Sequence, residues 1–167
     1  MAVTAHTLML HFTPATFGDC QLPMLIGRTA ILKDRTLDRH LEPYEITSAQ
    51  FKVLIIVARG YVDTPAELCR YLALDSGSMT RMLDRLEQKQ LIERTRSAAD
   101  RRQVHLALTA AGQALADRLP EIGAAALNEL VSMLEPAEFN ELQRILRKIL
   151  IHAGDSVACS FPGNERP

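Results

Sequence analysis

The sequence contains no tryptophan, and aromatic residues make up only 5% of it, so any core has to be built from aliphatic side chains. It carries no excess of charge either. A formal net charge of -1 gives no global reason to expect a polyanionic partner and confines any basic surface to a local patch. The three cysteines, Cys20, Cys69 and Cys159, are odd in number, widely spaced and form no Cys-x-x-Cys pair. That pattern argues against a disulfide framework or a zinc site and suits a reducing compartment. No apolar run reaches the length of a membrane span. Leu8-Met9-Leu10-His11-Phe12 is too short for a signal core and follows no Lys or Arg. The histidines, His6, His11, His40, His105 and His152, fall into no metal-binding spacing. No Ser/His/Asp, Cys/His or phosphate-cradling glycine motif is recognisable. Taken together, the absences point to a cytoplasmic protein that is not an enzyme, with no metal and no cofactor.

What is present is helical punctuation. The 47% apolar fraction and 167 residues suit one domain, or a small domain extended by helices that need a partner. Residues 1–22 show weak periodicity and read as an arm. Leu25, Ile26, Thr29, Leu32, Leu37 and Leu41 give a helical pattern that ends before Glu42-Pro43. Ile46-Thr47-Ser48-Ala49-Gln50-Phe51 is a helix start: Thr47 caps, Gln50 reaches back, and Ile46 can staple onto Phe51. Thr64-Pro65-Ala66-Glu67 is a second capping box with proline at the first helical position, and Asp75 is a third cap. Two helices across a tight turn, the second opening with small polar residues, make a helix-turn-helix. Leu91–Arg96 and Gln103–Leu108 alternate and flank a polar turn, as in a β-hairpin wing. Thr109 then caps a long helix to about Met133, interrupted at Pro120, and a last helix runs from Leu134 to about His152. The tail from Gly154 reads as disordered. The expected class is mainly α with a small hairpin. The divisions are an arm over 1–22, a dimerisation helix over 23–44, a winged lobe over 45–108, dimerisation helices over 109–153 and a tail over 154–167. Leu115, Leu119, Ile122, Leu127, Leu130, Val131, Leu142, Ile145, Leu146 and Ile149 offer more apolar surface than the lobe can cover, which pairing across a two-fold axis would bury.

The chemistry sits on the helix that Asp75 opens. Met79, Met82, Leu83 and Leu86 share its core side; Gly77, Thr80, Arg81, Asp84 and Gln88 share the other, with Arg85 at the edge. Small residues near the start permit close approach to a major groove, and hydroxyl and guanidinium donors reach base edges and phosphates. Ser76, Ser78, Thr80 and Arg81 meet that specification, although an ordinary solvated face would look similar. The hairpin shifts the balance. Arg94 and Arg96 lie on the ascending strand and Arg101 and Arg102 at the turn, where guanidinium groups suit the narrow, negative minor groove.

The order of elements, the stretch Asp75-Ser76-Gly77-Ser78-Met79-Thr80-Arg81-Met82-Leu83-Asp84-Arg85-Leu86 and the triplet Asp100-Arg101-Arg102 resemble the MarR family of bacterial regulators. Ile46–Leu54, and Leu108-Thr109 followed by Gly112, resemble it as well. The likeness spans about Lys33 to Leu150. It implies a homodimer whose first and last helices interlock and whose lobes read half-sites of a pseudo-palindromic operator in double-stranded DNA. In that picture Ser76, Ser78, Thr80 and Arg81 serve the major groove and Arg102 the minor groove, with Arg85 and Arg101 also among the DNA-binding residues. Asp75 and Asp100 support the wing, Asp75 by pairing with Arg102; an N-cap is its alternative role. The likeness further implies a repressor released by a small aromatic carboxylate such as salicylate. A family member binds such anions beside positions matching Pro65, Thr80 and Arg94, and Met82 and Arg85. Each has a plainer reading: Pro65 as a helix start, Met82 as core, Arg94 as a phosphate contact. A pocket at the dimer junction is equally open.

Two alternatives remain at this level. Peroxide-sensing relatives place a reactive cysteine near the position of Cys20, but Tyr44, Tyr61 and Tyr71 do not neighbour it in sequence. Gln88 stands where a family member carries a cysteine. A winged-helix adaptor that binds proteins is the other rival, although it has no need of Arg81, Arg101 and Arg102 on one footprint.

Overall fold

A computed structural model describes residues 11–96 and 103–160. After a short helix α1 (Pro14–Phe17), the long α2 (Leu22–Leu41) passes through a 3-10 turn at Glu42–Tyr44 into α3 (Ser48–Ala58). The reciprocal Thr47–Gln50 cap forms as the sequence predicts: Gln50 N–H donates to Thr47 Oγ1 (3.3 Å) and Thr47 N–H to Gln50 Oε1 (3.1 Å). Two acids of α2 hold this end of α3. Asp38 accepts from Ser48 N–H (2.6 Å) and Asp34 pairs with Lys52 (3.1 Å).

Helix α4 (Pro65–Leu72) and helix α5 (Ser76–Gln88) form the helix-turn-helix. The turn between them closes through Leu74 N–H to Cys69 O (3.0 Å), with Ala73 in the left-handed region at φ 51°. Thr64 caps α4, but its hydroxyl donates to the Glu67 carboxylate (2.8 Å) instead of completing a reciprocal box. The hairpin is β1 (Ile92–Arg96) antiparallel to β2 (Val104–Leu108), in the register Ile92 opposite Leu108 and Arg94 opposite Leu106.

The predicted long helix after Thr109 is two helices, α6 (Ala110–Ala116) and α7 (Leu119–Val131), parted at Asp117 and Arg118. Pro120 lies in the first turn of α7, where a missing N–H costs nothing. Helix α8 (Pro136–His152) follows, and the expectation of a disordered tail fails at its start. Asp155 accepts from Ala158 N–H (2.8 Å) and opens a short helix α9 (Ser156–Ser160), which packs on α8 with Ala158 buried.

The lobe core gathers Leu41 of α2, Ile46 of the loop before α3, Val53, Leu54 and Ile56 of α3, Leu68 of α4, Met79, Leu83 and Leu86 of α5, Ile92 and Leu106 of the hairpin, and Leu119 and Ile122 of α7. Outside the lobe the picture inverts. Leu25, Ile26, Ile31 and Leu32 of α2 and Leu142, Ile145, Leu146, Ile149 and Leu150 of α8 are all exposed, and α8 contributes no buried residue. No helix of the described residues is long and apolar enough to cross a membrane.

Candidate nucleic-acid interface

Helix α5 is anchored on its inner side by Met79, Leu83 and Leu86, all at most 1% exposed. That burial, worth roughly 1.5–3 kcal/mol per large apolar side chain, fixes which face looks outward. Ser76, Gly77, Thr80, Arg81 and Arg85 are exposed and Ser78 and Met82 half-buried. Asp75 caps the helix by accepting from Ser78 N–H (2.8 Å). Hydrogen bonds from Ser78 chiefly, with the nearby Arg81 charge adding to them, hold its carboxyl below the usual carboxylate range. Thr80 Oγ1 donates to Ser76 O (2.8 Å), so its lone pairs remain outward as acceptors, and an Arg81 guanidinium nitrogen reaches Ser78 Oγ at 3.4 Å. Gly77 allows this crowding: a Cβ there would meet Asp75 Oδ1 at 3.2 Å.

A cleft of about 230 Å³ opens between this face and the start of α3, lined by Thr47, Ala49, Gln50, Ser78, Arg81, Met82 and Arg85. It unites Met82 and Arg85, expected beside a ligand, with Ser78 and Arg81, expected at DNA. Its α3 wall was not foreseen; the capping residues of α3 were read as punctuation only. A second, more open hollow of about 760 Å³ lies where α2 meets the lobe, with Leu32, Arg35, Thr36, Asp38, Arg39, Glu42, Ile46 and Thr47 around it.

Arg94, expected beside a ligand or at a phosphate, is engaged within the protein. Its two terminal nitrogens donate to Asp84 Oδ1 (2.7 Å) and Glu87 Oε2 (2.8 Å) of α5. An anion approaching it would meet those two carboxylates first. Asp84 and Glu87 are three residues apart and share one helix face, and the strand carrying Arg94 was legible too, but not the packing that brings the two together. Pro65 is half-buried at the first turn of α4. On the far side of the hairpin, Asp63 accepts from Leu106 N–H (2.7 Å) and pairs with His105 Nδ1 (2.9 Å), a link the sequence did not disclose. Asp100, Arg101 and Arg102 fall outside the described residues. Cys20 is half-buried between α1 and α2. Tyr61 stacks on Tyr71 with centroids 6.2 Å apart, and Tyr44 lies under Arg118. Among the described residues no cluster of His, Cys, Asp and Glu could hold a metal ion.

A capped polar helix laid over a helix partner, followed at once by an antiparallel hairpin, defines a winged helix-turn-helix protein. The comparisons with known proteins agree. The MarR family model matches residues 46–104. The multiple antibiotic resistance protein MarR of Escherichia coli is 40% identical over 119 residues, 71% of this chain and 83% of that protein. The HTH-type transcriptional regulator PecS of Dickeya dadantii is 29% identical over 137 residues, covering 78% and 82%. A crystal structure of an Escherichia coli MarR mutant complexed with operator DNA superposes with a TM-score of 0.73 at 35% identity, covering 83% of this chain and 99% of that one. The chain belongs to the MarR family; it is a DNA-binding transcription regulator and not an enzyme.

Proposed function

We propose that the protein acts as a homodimeric repressor in the cytoplasm, its two α5 helices set into successive major grooves of a pseudo-palindromic operator. The observation that carries this is the two-sidedness of α5: Met79, Leu83 and Leu86 buried, Ser76, Thr80, Arg81 and Arg85 offered outward. The operator complex of the Escherichia coli relative supports the same docking. Half-sites roughly 10 bp apart, centre to centre, follow from a two-fold dimer. Dimerisation is supported by the uncovered apolar faces of α2 and α8, since exposed leucine and isoleucine on this scale mark an interface in a protein that stays dispersed. Arg101 and Arg102 take the minor groove in this reading, with Asp75 and Asp100 supporting the wing.

Regulation by a small aromatic anion is assigned to the cleft lined by Ser78, Arg81, Met82 and Arg85. Two guanidinium groups suit a carboxylate, and the Met82 side chain backs a ring. Occupancy there competes directly with DNA for Arg81. The Pro65–Thr80–Arg94 grouping is the weaker seat, because Arg94 already serves two carboxylates.

The test is binding to a duplex carrying the promoter beside the protein's own gene. Arg102→Ala should weaken binding strongly, and Arg81→Ala should weaken it or relax its selectivity. Normal affinity in both variants would favour a protein-binding adaptor on the same fold. Salicylate at saturation should lower the affinity of the wild type; an unchanged isotherm removes salicylate as effector. Loss of binding on peroxide treatment, rescued by Cys20→Ser, would replace ligand control with thiol control.

A further inference from the structure

We propose that Arg94 is a positioning residue for DNA binding, strapping the wing to the recognition helix so that both meet one duplex at a fixed angle. The proposal rests on the reading that α5 and the hairpin engage the same DNA. Alternation along β1 turns Ile92 and Arg94 toward the lobe and leaves Glu93 and Thr95 exposed. Arg94 stands opposite Leu106, which is buried, so its stem runs inward over α5 and not out toward solvent. There the fork divides between two acids: one terminal nitrogen on Asp84, the other on Glu87, at 2.7 and 2.8 Å. Two carboxylates against one guanidinium leave the spot net negative, which weakens it as a seat for a phosphate or an anionic ligand.

The strap adds an ionic link to a hairpin whose other ties are apolar packing of Ile92 and Leu106 in the lobe core and hydrogen bonds at its root and far strand. Between α5 and β1 the chain turns through Gln90, itself left-handed at φ 57°. The root of the hairpin is held by Leu91 N–H on Leu86 O (3.0 Å) and by Thr109, whose hydroxyl donates to Gln90 O. The opposite strand is tied to the loop before α4 through Asp63. Arg94 adds an ion-paired side-chain link from β1 to α5, and there it resists rotation of the hairpin about its base.

The experiment uses the full-length protein, a fluorescent duplex that the wild type selects from a random-sequence pool, and a scrambled duplex of the same composition. Arg94→Gln should lose about tenfold in affinity for the selected duplex and much less for the scrambled one. Its slope of log Kd against log salt should match the wild type. Removing the acids (Asp84→Asn with Glu87→Gln) deletes negative charge near DNA, and should raise affinity in the Arg94→Gln background but not when Arg94 is present. Three results overturn the proposal. One is a salt slope lower by about one, with the acid removal helping more when Arg94 is present, which makes Arg94 a phosphate contact. Another is an equal loss on both duplexes that follows a fall in melting temperature, which makes it general fold support. A wild type that enriches no duplex refutes the DNA reading itself, and does so before any variant is made.

Discussion

At the residue scale, the interface depends on which side chains are free to leave the protein surface. Arg81 is: its hydrogen bond to Ser78 Oγ is long, at 3.4 Å, a contact a base or phosphate readily displaces. Arg81→Ala should therefore cost about 1–3 kcal/mol of duplex affinity, read by anisotropy, whereas loss of a merely solvated arginine would cost almost nothing. Asp75 carries a pH prediction. Its folded pKa lies below the unfolded value, so its capping contribution is complete above the unfolded pKa and fades as pH falls through the folded one. The stability difference between wild type and Asp75→Ala should stay flat between about pH 8 and pH 5 and shrink only below about 4. A difference that changes near neutrality would contradict it. Legibility at this scale was uneven. Ser76, Thr80 and Arg81 were readable because a helix wheel sorts faces, while the task of Arg94 was not, because it depends on a contact between a helix and a strand that no local pattern encodes.

At the scale of elements, caps made the boundaries readable. Thr47, Thr64, Asp75 and Thr109 each cap where the sequence placed them, accepting from Gln50, Glu67, Ser78 and Gly112 N–H. The misreadings came where a weak signal was given too much or too little weight. Pro120 drew the break two residues late, since proline tolerates a first turn. Gly154, at φ 74°, followed by the capping Asp155, is helix punctuation that was read as tail composition. The junction of hairpin and α6 shows an element held by one glycine. Thr109 N–H donates to Leu91 O (3.2 Å), and a Cβ at Gly112 would sit 1.8 Å from that same oxygen. No rotamer change relieves a clash with backbone, so Gly112→Ala should destabilise the fold by about 3 kcal/mol or more, measured by urea unfolding. A change under about 1 kcal/mol would mean that the hairpin root is far more compliant than its hydrogen bonds indicate.

At the scale of the molecule, the lobe is complete and the arms are not. Helix α2 packs along α7, with Glu129 pairing Arg39 and His40, yet its outer face and that of α8 remain apolar and uncovered. The amphipathic patterns of these helices were legible as surplus apolar surface; the second subunit that would cover them was implied by balance of area. Ile145→Glu with Ile149→Glu should give a monomer by sedimentation, with a folded lobe and much weakened duplex binding; an unchanged mass would place the interface elsewhere. The most direct test of the whole account is a salt titration of wild-type binding to its selected duplex. Several phosphate contacts from two α5 helices and two wings predict at least a hundredfold loss of affinity, on the order of 10² or more, between about 50 and 200 mM salt. An affinity that barely changes across that range would contradict a regulator that grips DNA through its arginines.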